Sequence, residues 1–338
     1  MRKIFTFLLS LAMFVCSFAQ WTTTTMEGKK IRENSDATQL YKLDLNKIRS
    51  QLANAQEMGK NAKAVVISVP TLEGKIENFA VYSLPVMVKE LANQYQLGSY
   101  SGVGIDDPLK QIRFSVAPND FQSMIVKNGV YEFIEPQNTS KTVYGVHAKT
   151  VKTGDKGFLC SMNEDKLSKQ QIADLYDRGN SFTNEPSNFA KSSDKKYRTM
   201  HLAMSVTSEY TTYFGGVAGA LTAINATLTR VNGVFEKDFA LHLNLQNFPQ
   251  LIYNNAATDP YSPAANMANW NTELQATLTA TIGNAAYDIG HLFGASGGGG
   301  NAGCIGCVCI DPTTSVPKGK GSGYTSPADG IPQGDNFD

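Results

Sequence analysis

YDIGHLFGASG, Tyr287 to Gly297, is the stretch whose reading decides the fold. It runs at the cadence of H-E-x-x-H-x-x-G-x-x-H, a helix pattern in which three histidines hold a zinc ion. On that template only His291 and Gly294 stand in place. The first histidine is Tyr287, the glutamate is Asp288 and the third histidine is Gly297. A ligand helix needs nitrogen donors at i and i+4, on one face, with a glutamate beside the metal-bound water. Tyrosine is a poor zinc ligand, glycine is none, and aspartate is one methylene short. Gly290, Gly294 and the run Gly297 to Gly300 would each cost about 1 kcal/mol in a helix. The stretch therefore reads as a strand ending in a glycine loop, with His291 a strand residue. A degenerate zinc site at His291 is the rival reading.

Working outward, the other histidines offer no obvious metal set. His147, His201 and His242 lie far apart, each in a strand-like run, and isolated histidines read as structural. The cluster Cys304, Cys307 and Cys309 lacks the second ligand pair of a zinc ribbon. It reads as a set of disulfide candidates, within the cluster or to Cys160. The glycine run is followed by no G-K-[ST], and no G-x-S-x-G occurs. On its own residues the chain shows no complete catalytic constellation.

The first nineteen residues set the compartment. Arg2 and Lys3 precede an apolar run from Ile4 to Val15, which closes on Ser17-Phe18-Ala19, the pattern of a cleaved signal peptide. That run is too short for a membrane anchor, and no later segment reads as a span. The expected product is secreted or displayed at the cell surface. Thirty basic and thirty acidic side chains balance, which gives no electrostatic case for a nucleic-acid partner.

Residues 20–160 read as a β-rich domain. AVVISVPT, NFAVYSL, IRFSVAP, GVYEFIEP and TVYGVHAKT have strand composition, while SGVGIDDP and APND read as turns. LYKLDLNKIRSQLANAQ predicts one amphipathic helix, and PVMVKELANQY a short helix begun by Pro85. Residues 161–196 have the polar composition of an exposed linker. In 197–338, TMHLAMSVT predicts a strand, Val217 to Phe235 a helix with apolar residues four and three apart, and FALHLNLQ a strand. PQLIYNN is a candidate short strand, and Asn271 to Gly283 a second helix. Strands alternating with helices argue an α/β layer with a mostly parallel sheet.

YRTMHLAMSVTSEYTTYFGG, LIYNNAATDPYS and YDIGHLFGASGGGGNAGCIGCVC together resemble the secreted reprolysin-like zinc metalloproteases of the metzincin group, of the kind common in Bacteroidetes-type bacteria. YKLDLNKIRSQLANA and SYSGVGIDDPLKQIRFSVAP resemble their pro-region. The resemblance runs from about Leu40 to Asp338. It implies an α+β pro-domain followed by the N-terminal part of an α/β catalytic domain, incomplete here. QGDNFD, Gln333 to Asp338, would lie roughly five to ten residues before the zinc helix. It implies zinc in the complete enzyme, a peptide or protein substrate, and zinc ligands and a general-base glutamate outside these residues. No catalytic residue is carried onto this chain, so the expectation is a chain inactive alone. The same likeness suggests a substrate-pairing strand at Ala302, Gly303, Cys304 and Ile305, within Ala302 to Cys309. It also offers Cys160 as a latency thiol, although GFLCSMNED departs from the usual motif. The alternative is a secreted, non-catalytic binding protein derived from such a protease.

Overall fold

A computed structural model describes residues 20–150, 159–160 and 196–337. The expected signal peptide and nearly all of the expected linker lie outside them. Nine strands form the first sheet: β1 (Trp21–Thr23), β2 (Gln39–Leu43), β3 (Val65–Pro70), β4 (Ile76–Ser83), β5 (Gly98–Gly104), β6 (Gln111–Ala117), β7 (Asp120–Lys127), β8 (Val130–Pro136) and β9 (Tyr144–Ala148). Every pairing is antiparallel, in the order β1-β2-β9-β8-β7-β6-β5-β4-β3. Two helices accompany it, α1 (Leu45–Leu52) and α2 (Lys89–Tyr95). Asp44 caps α1 by accepting from the Lys47 amide, and Ile48 and Leu52 enter a core with Trp21, Ile67, Phe79, Phe114 and Tyr144.

Several expectations are corrected. The single helix expected from Leu40 is a strand, β2, and then α1, because Asp44 starts the helix only there. The short helix begins at Lys89, four residues after Pro85. SGVGIDDP is half strand: β5 uses its glycines for close packing, and a Cβ on Gly102 would stand 2.4 Å from the Ala80 carbonyl oxygen.

The second sheet has six strands: β10 (Leu159–Cys160), β11 (Arg198–Val206), β12 (Leu241–Leu245), β13 (Ile289–Phe293), β14 (Gly299–Asn301) and β15 (Gly323–Ser326). Their order is β10-β14-β15-β13-β11-β12. β11 pairs parallel with β12 and β13, β13 with β15, and β10 with β14, while β14 and β15 are antiparallel. The helices are α3 (Ser208–Tyr213), α4 (Val217–Phe239) and α5 (Trp270–Thr281). The candidate strand in PQLIYNN is instead a 3-10 turn, Pro249–Leu251, favoured by proline at its first position.

Helix α4 is the centre of the molecule. One face supplies Leu221, Ile224 and Leu228 to a core shared with β11, β12 and α2. Asn225 and Thr229 flank that face, Arg230 lies on the far side and Asn232 meets β12, all of them buried. Asn225 Nδ2 donates to the Gly98 carbonyl at 3.0 Å, and the Thr229 hydroxyl donates to Ser99 Oγ at 2.9 Å. Gly233 lets the helix approach β6 and β7, since a Cβ there would sit 3.0 Å from Arg113 and Met124 side-chain carbons. The N-terminal sheet thus supplies the cover for a polar helix face. It also closes the edge of the second sheet at β12, where the Leu245 amide donates to Val86 and the Val88 amide donates to Leu245. Among the described residues no helix is long and apolar enough to cross a membrane.

Candidate functional site

The strand β13 carries the opening stretch and turns its residues to structural use. The Tyr287 hydroxyl accepts from Gln275 Nε2 at 2.9 Å, with its ring buried against α5. Asp288 accepts from the His201 amide at 2.8 Å and lies 3.3 Å from the His201 ring. His291 bonds the Thr325 hydroxyl on β15 at 2.9 Å and meets Phe293 edge-on. Burial pushes its imidazole down to about 4. Among the described residues His291 belongs to no group of three or more potential ligands. A neutral ring bonded across two strands is the role the geometry gives it.

The expected substrate-pairing strand is displaced. Ala302, Gly303, Cys304 and Ile305 lie in turns, because Gly303 and Gly306 take positive φ values of 71° and 74° and Cys304 is disulfide-bonded to Cys307. A Cβ at Gly303 would also strike the Ser322 carbonyl oxygen at 2.5 Å. The short strand is β14, three residues earlier. Its outer side pairs with β10, so Leu159 and Cys160 run parallel to Gly299 and Gly300. The Cys160 side chain lies outside the described residues, and with it the latency reading. Cys309 is free and exposed.

The only potential metal-holding group among the described residues joins the two sheets. Glu135 on β8 and His147 on β9 are diagonal neighbours across an antiparallel pair, both almost wholly buried. Asp335 comes from the tight turn before Phe337, whose ring packs on Phe293 and Tyr210. The Asp335 amide donates to Glu135 Oε1 at 2.8 Å, and Arg230 of α4 donates to the same oxygen at 2.9 Å. Thr150 donates to Asp335 through its amide, at 2.7 Å, and through its hydroxyl, at 2.9 Å. Arg32 reaches the same segment, donating to the Gln333 carbonyl at 2.8 Å and pairing with Asp329 at 3.3 Å. Burial alone would raise the Glu135 carboxyl. The His147 imidazole beside it and the Arg230 and Arg32 charges outweigh burial and hold the group at about 2. Burial lowers His147, but the adjacent Glu135 overrides it and the net shift is upward.

In the sequence His147 reads as an isolated strand residue, and neither Glu135 nor Asp335 stands out. Only the Glu135–His147 spacing across one hairpin holds a local signal. Asp335 is joined to them by tertiary structure alone. A cavity of about 480 Å³ lies elsewhere, between the first sheet and the end of α4, lined by Arg113, Met124, Tyr131, Tyr197 and Glu236.

With the geometry in place, comparisons supply a class. Residues 196–338 match the family described as metallo-peptidase family M12B, reprolysin-like. The match falls on the segment whose motifs carry the resemblance. It is similar to metalloproteinase-II from Bacteroides fragilis, at 9% identity and a TM-score of 0.41 over 85% of this chain and 80% of that one. It is also similar to a structure described as a chaperone-substrate complex, at 12% identity and a TM-score of 0.25 over 39% of this chain and 95% of that one. No curated protein matches the chain. The family implies a peptide or protein substrate, and zinc in the complete enzyme. The described residues do not fit a three-histidine zinc site, since the four histidines of the sequence stand on separate partners.

Proposed function

We propose that this chain carries the upstream part of an exported zinc metalloendopeptidase together with the pro-region that restrains it. The carrying observation is the family match over residues 196–338. Peptide recognition would use main-chain pairing along a strand edge, with pockets reading alternate side chains. The β14 edge is the candidate for that role, and its pairing with Leu159 and Cys160 supports a restraining role for the N-terminal region. The clasp of Arg32, Glu135 and Thr150 on residues 329–337 supports it too. The 338 residues contain no H-E-x-x-H. The zinc ligands would come from sequence outside them, and the chain by itself should hydrolyse no peptide. That same lack of a catalytic constellation favours the second reading, a non-catalytic binding protein.

The test is a casein or gelatin assay of the 338-residue chain, with added zinc and with a chelator. No cleavage is expected. Chelator-sensitive turnover by these residues alone would overturn the proposal. To separate the two readings, the coding sequence beyond Asp338 is determined: an in-frame H-E-x-x-H-x-x-G-x-x-H supports the peptidase, and an immediate stop supports the binding protein.

A further inference from the structure

Glu135, His147 and Asp335 are set apart from the family's expected zinc ligands, because two of them belong to the N-terminal sheet. Each offers one ligand-capable atom, and the three atoms lie within 4.8 Å of one another. His147 Nδ1 is 2.8 Å from its neighbour Ala148's carbonyl oxygen. A carbonyl only accepts, so Nδ1 carries a proton, and in the neutral ring Nε2 presents its lone pair. This is the arrangement by which a backbone carbonyl orients a metal-binding imidazole. Nε2 faces Glu135 Oε2 at 3.4 Å. That is long for a charge-assisted hydrogen bond, which settles at about 2.7–2.9 Å. It equals the separation, roughly 3.4 Å, of two ligand atoms held about 2.1 Å from a tetrahedral zinc ion.

The surroundings suit a cation. Glu135 spends Oε1 on Arg230 and the Asp335 amide, so Oε2 is the oxygen turned to His147. Thr150 fixes the Asp335 carboxylate through both its oxygens. A cavity of about 50 Å³ is lined by Arg32, Glu135, His147, Thr150 and Asp335, room for an ion with a water as its fourth ligand. Gly334, at φ +85°, brings the turn close, and a Cβ there would stand 2.6 Å from Glu135 Oε2. Of the two carboxylates, Glu135 is paired with the Arg230 guanidinium, and the printed donors to Asp335 are the uncharged amide and hydroxyl of Thr150. Arg32, more distant, moderates the affinity.

We infer that Glu135, His147 and Asp335 form a structural site for a divalent ion of zinc type, which ties the N-terminal sheet to the 329–337 segment. The two carboxylates and one imidazole select a borderline first-row ion rather than calcium or magnesium, which prefer all-oxygen sets. The site is distinct from the peptidase reading and stands without it.

The experiment uses the full chain, stripped with chelator, dialysed and titrated with zinc sulfate, with bound metal counted by elemental analysis. One equivalent per chain is expected, with a rise of several degrees in the thermal midpoint. His147→Gln and Asp335→Asn should each abolish the bound equivalent and the rise. A variant with Cys304, Cys307 and Cys309 changed to serine, and His291→Ala, should keep both. Should the ligand variants fail to fold, the wild-type chain decides through the ¹⁵N resonance of His147 Nε2, which must shift on zinc addition. Absence of stoichiometric zinc with a proton on that nitrogen at neutral pH would overturn the site in favour of a charged His147–Glu135 pair. Zinc binding unaffected by both substitutions would overturn it as well.

Discussion

Asn232 on helix α4 substitutes for a missing strand, and its removal has a calculable cost. Its side chain is fully buried. Nδ2 donates to the Leu243 carbonyl at 2.9 Å, and Oδ1 accepts from the Leu243 amide at 2.8 Å. Among the described residues β12 is the last strand of the sheet, and at Leu243 no named strand pairs with these two main-chain groups. Asn232→Ala would leave both unpaired in the interior, where each costs about 1–3 kcal/mol. Partial relaxation brings the expected total to about 3 kcal/mol. For a unit of this size that lowers the thermal midpoint by roughly 6–12 °C. Trp270, the first residue of α5, is buried in the second sheet's core and Trp21 in that of the first, and the sequence has only these two tryptophans. Fluorescence in a Trp21→Phe background therefore reports the second sheet alone. Asn232→Asp keeps the acceptor and loses the donor, so its loss should deepen as pH rises and a buried carboxylate ionises. A midpoint within about 2 °C of the parent for Asn232→Ala would refute the edge-closing role.

Further outcomes follow from other contacts. His291 has its pKa pushed down to about 4 in the fold, against about 6.5 unfolded. The unfolded chain binds the extra proton first, so stability present above pH 6.5 should fall by about 2–3 kcal/mol between pH 6.5 and 4, and melts of His291→Gln should flatten that window. Gly334→Ala meets both a positive φ and the Glu135 carboxylate; a loss of about 1–3 kcal/mol should appear as faster hydrogen exchange at Asp335. Changing Cys304 and Cys307 to serine opens a four-residue loop and should cost about 2 kcal/mol, while alkylation of the parent without reductant should mark Cys309 and spare that pair.

The elements with strong local signals are legible in the sequence. Apolar spacing marks helix α4, composition marks β11 and β13, and the glycines of YDIGHLFGASG argue for a strand on local propensity alone. What local signals miss is whatever depends on the partner. Apolar spacing marks one face of α4 and says nothing of Asn225, Thr229 and Arg230, which are buried because the first sheet covers them. β5 is half hidden by glycines that look like turns but serve close strand packing. The family resemblance suggests a strand at Ala302 to Ile305, and the left-handed Gly303 and Gly306 make turns there instead. The Glu135, His147 and Asp335 group is invisible for a geometric reason: two residues share a hairpin, and the third arrives across nearly two hundred positions of chain, about 200 from Glu135 to Asp335.

The central proposal is a reprolysin-like peptidase segment held by an N-terminal restraining region. It is tested most directly by comparing peptide hydrolysis by two proteins, with zinc and with chelator. One is the 338-residue chain; the other continues through the downstream coding sequence to the first H-E-x-x-H-x-x-G-x-x-H, before and after a protease nick within residues 161–195. Chelator-sensitive cleavage should appear only in the longer, nicked protein. Cleavage by the shorter chain, full activity without the nick, or no activity in any form would contradict it.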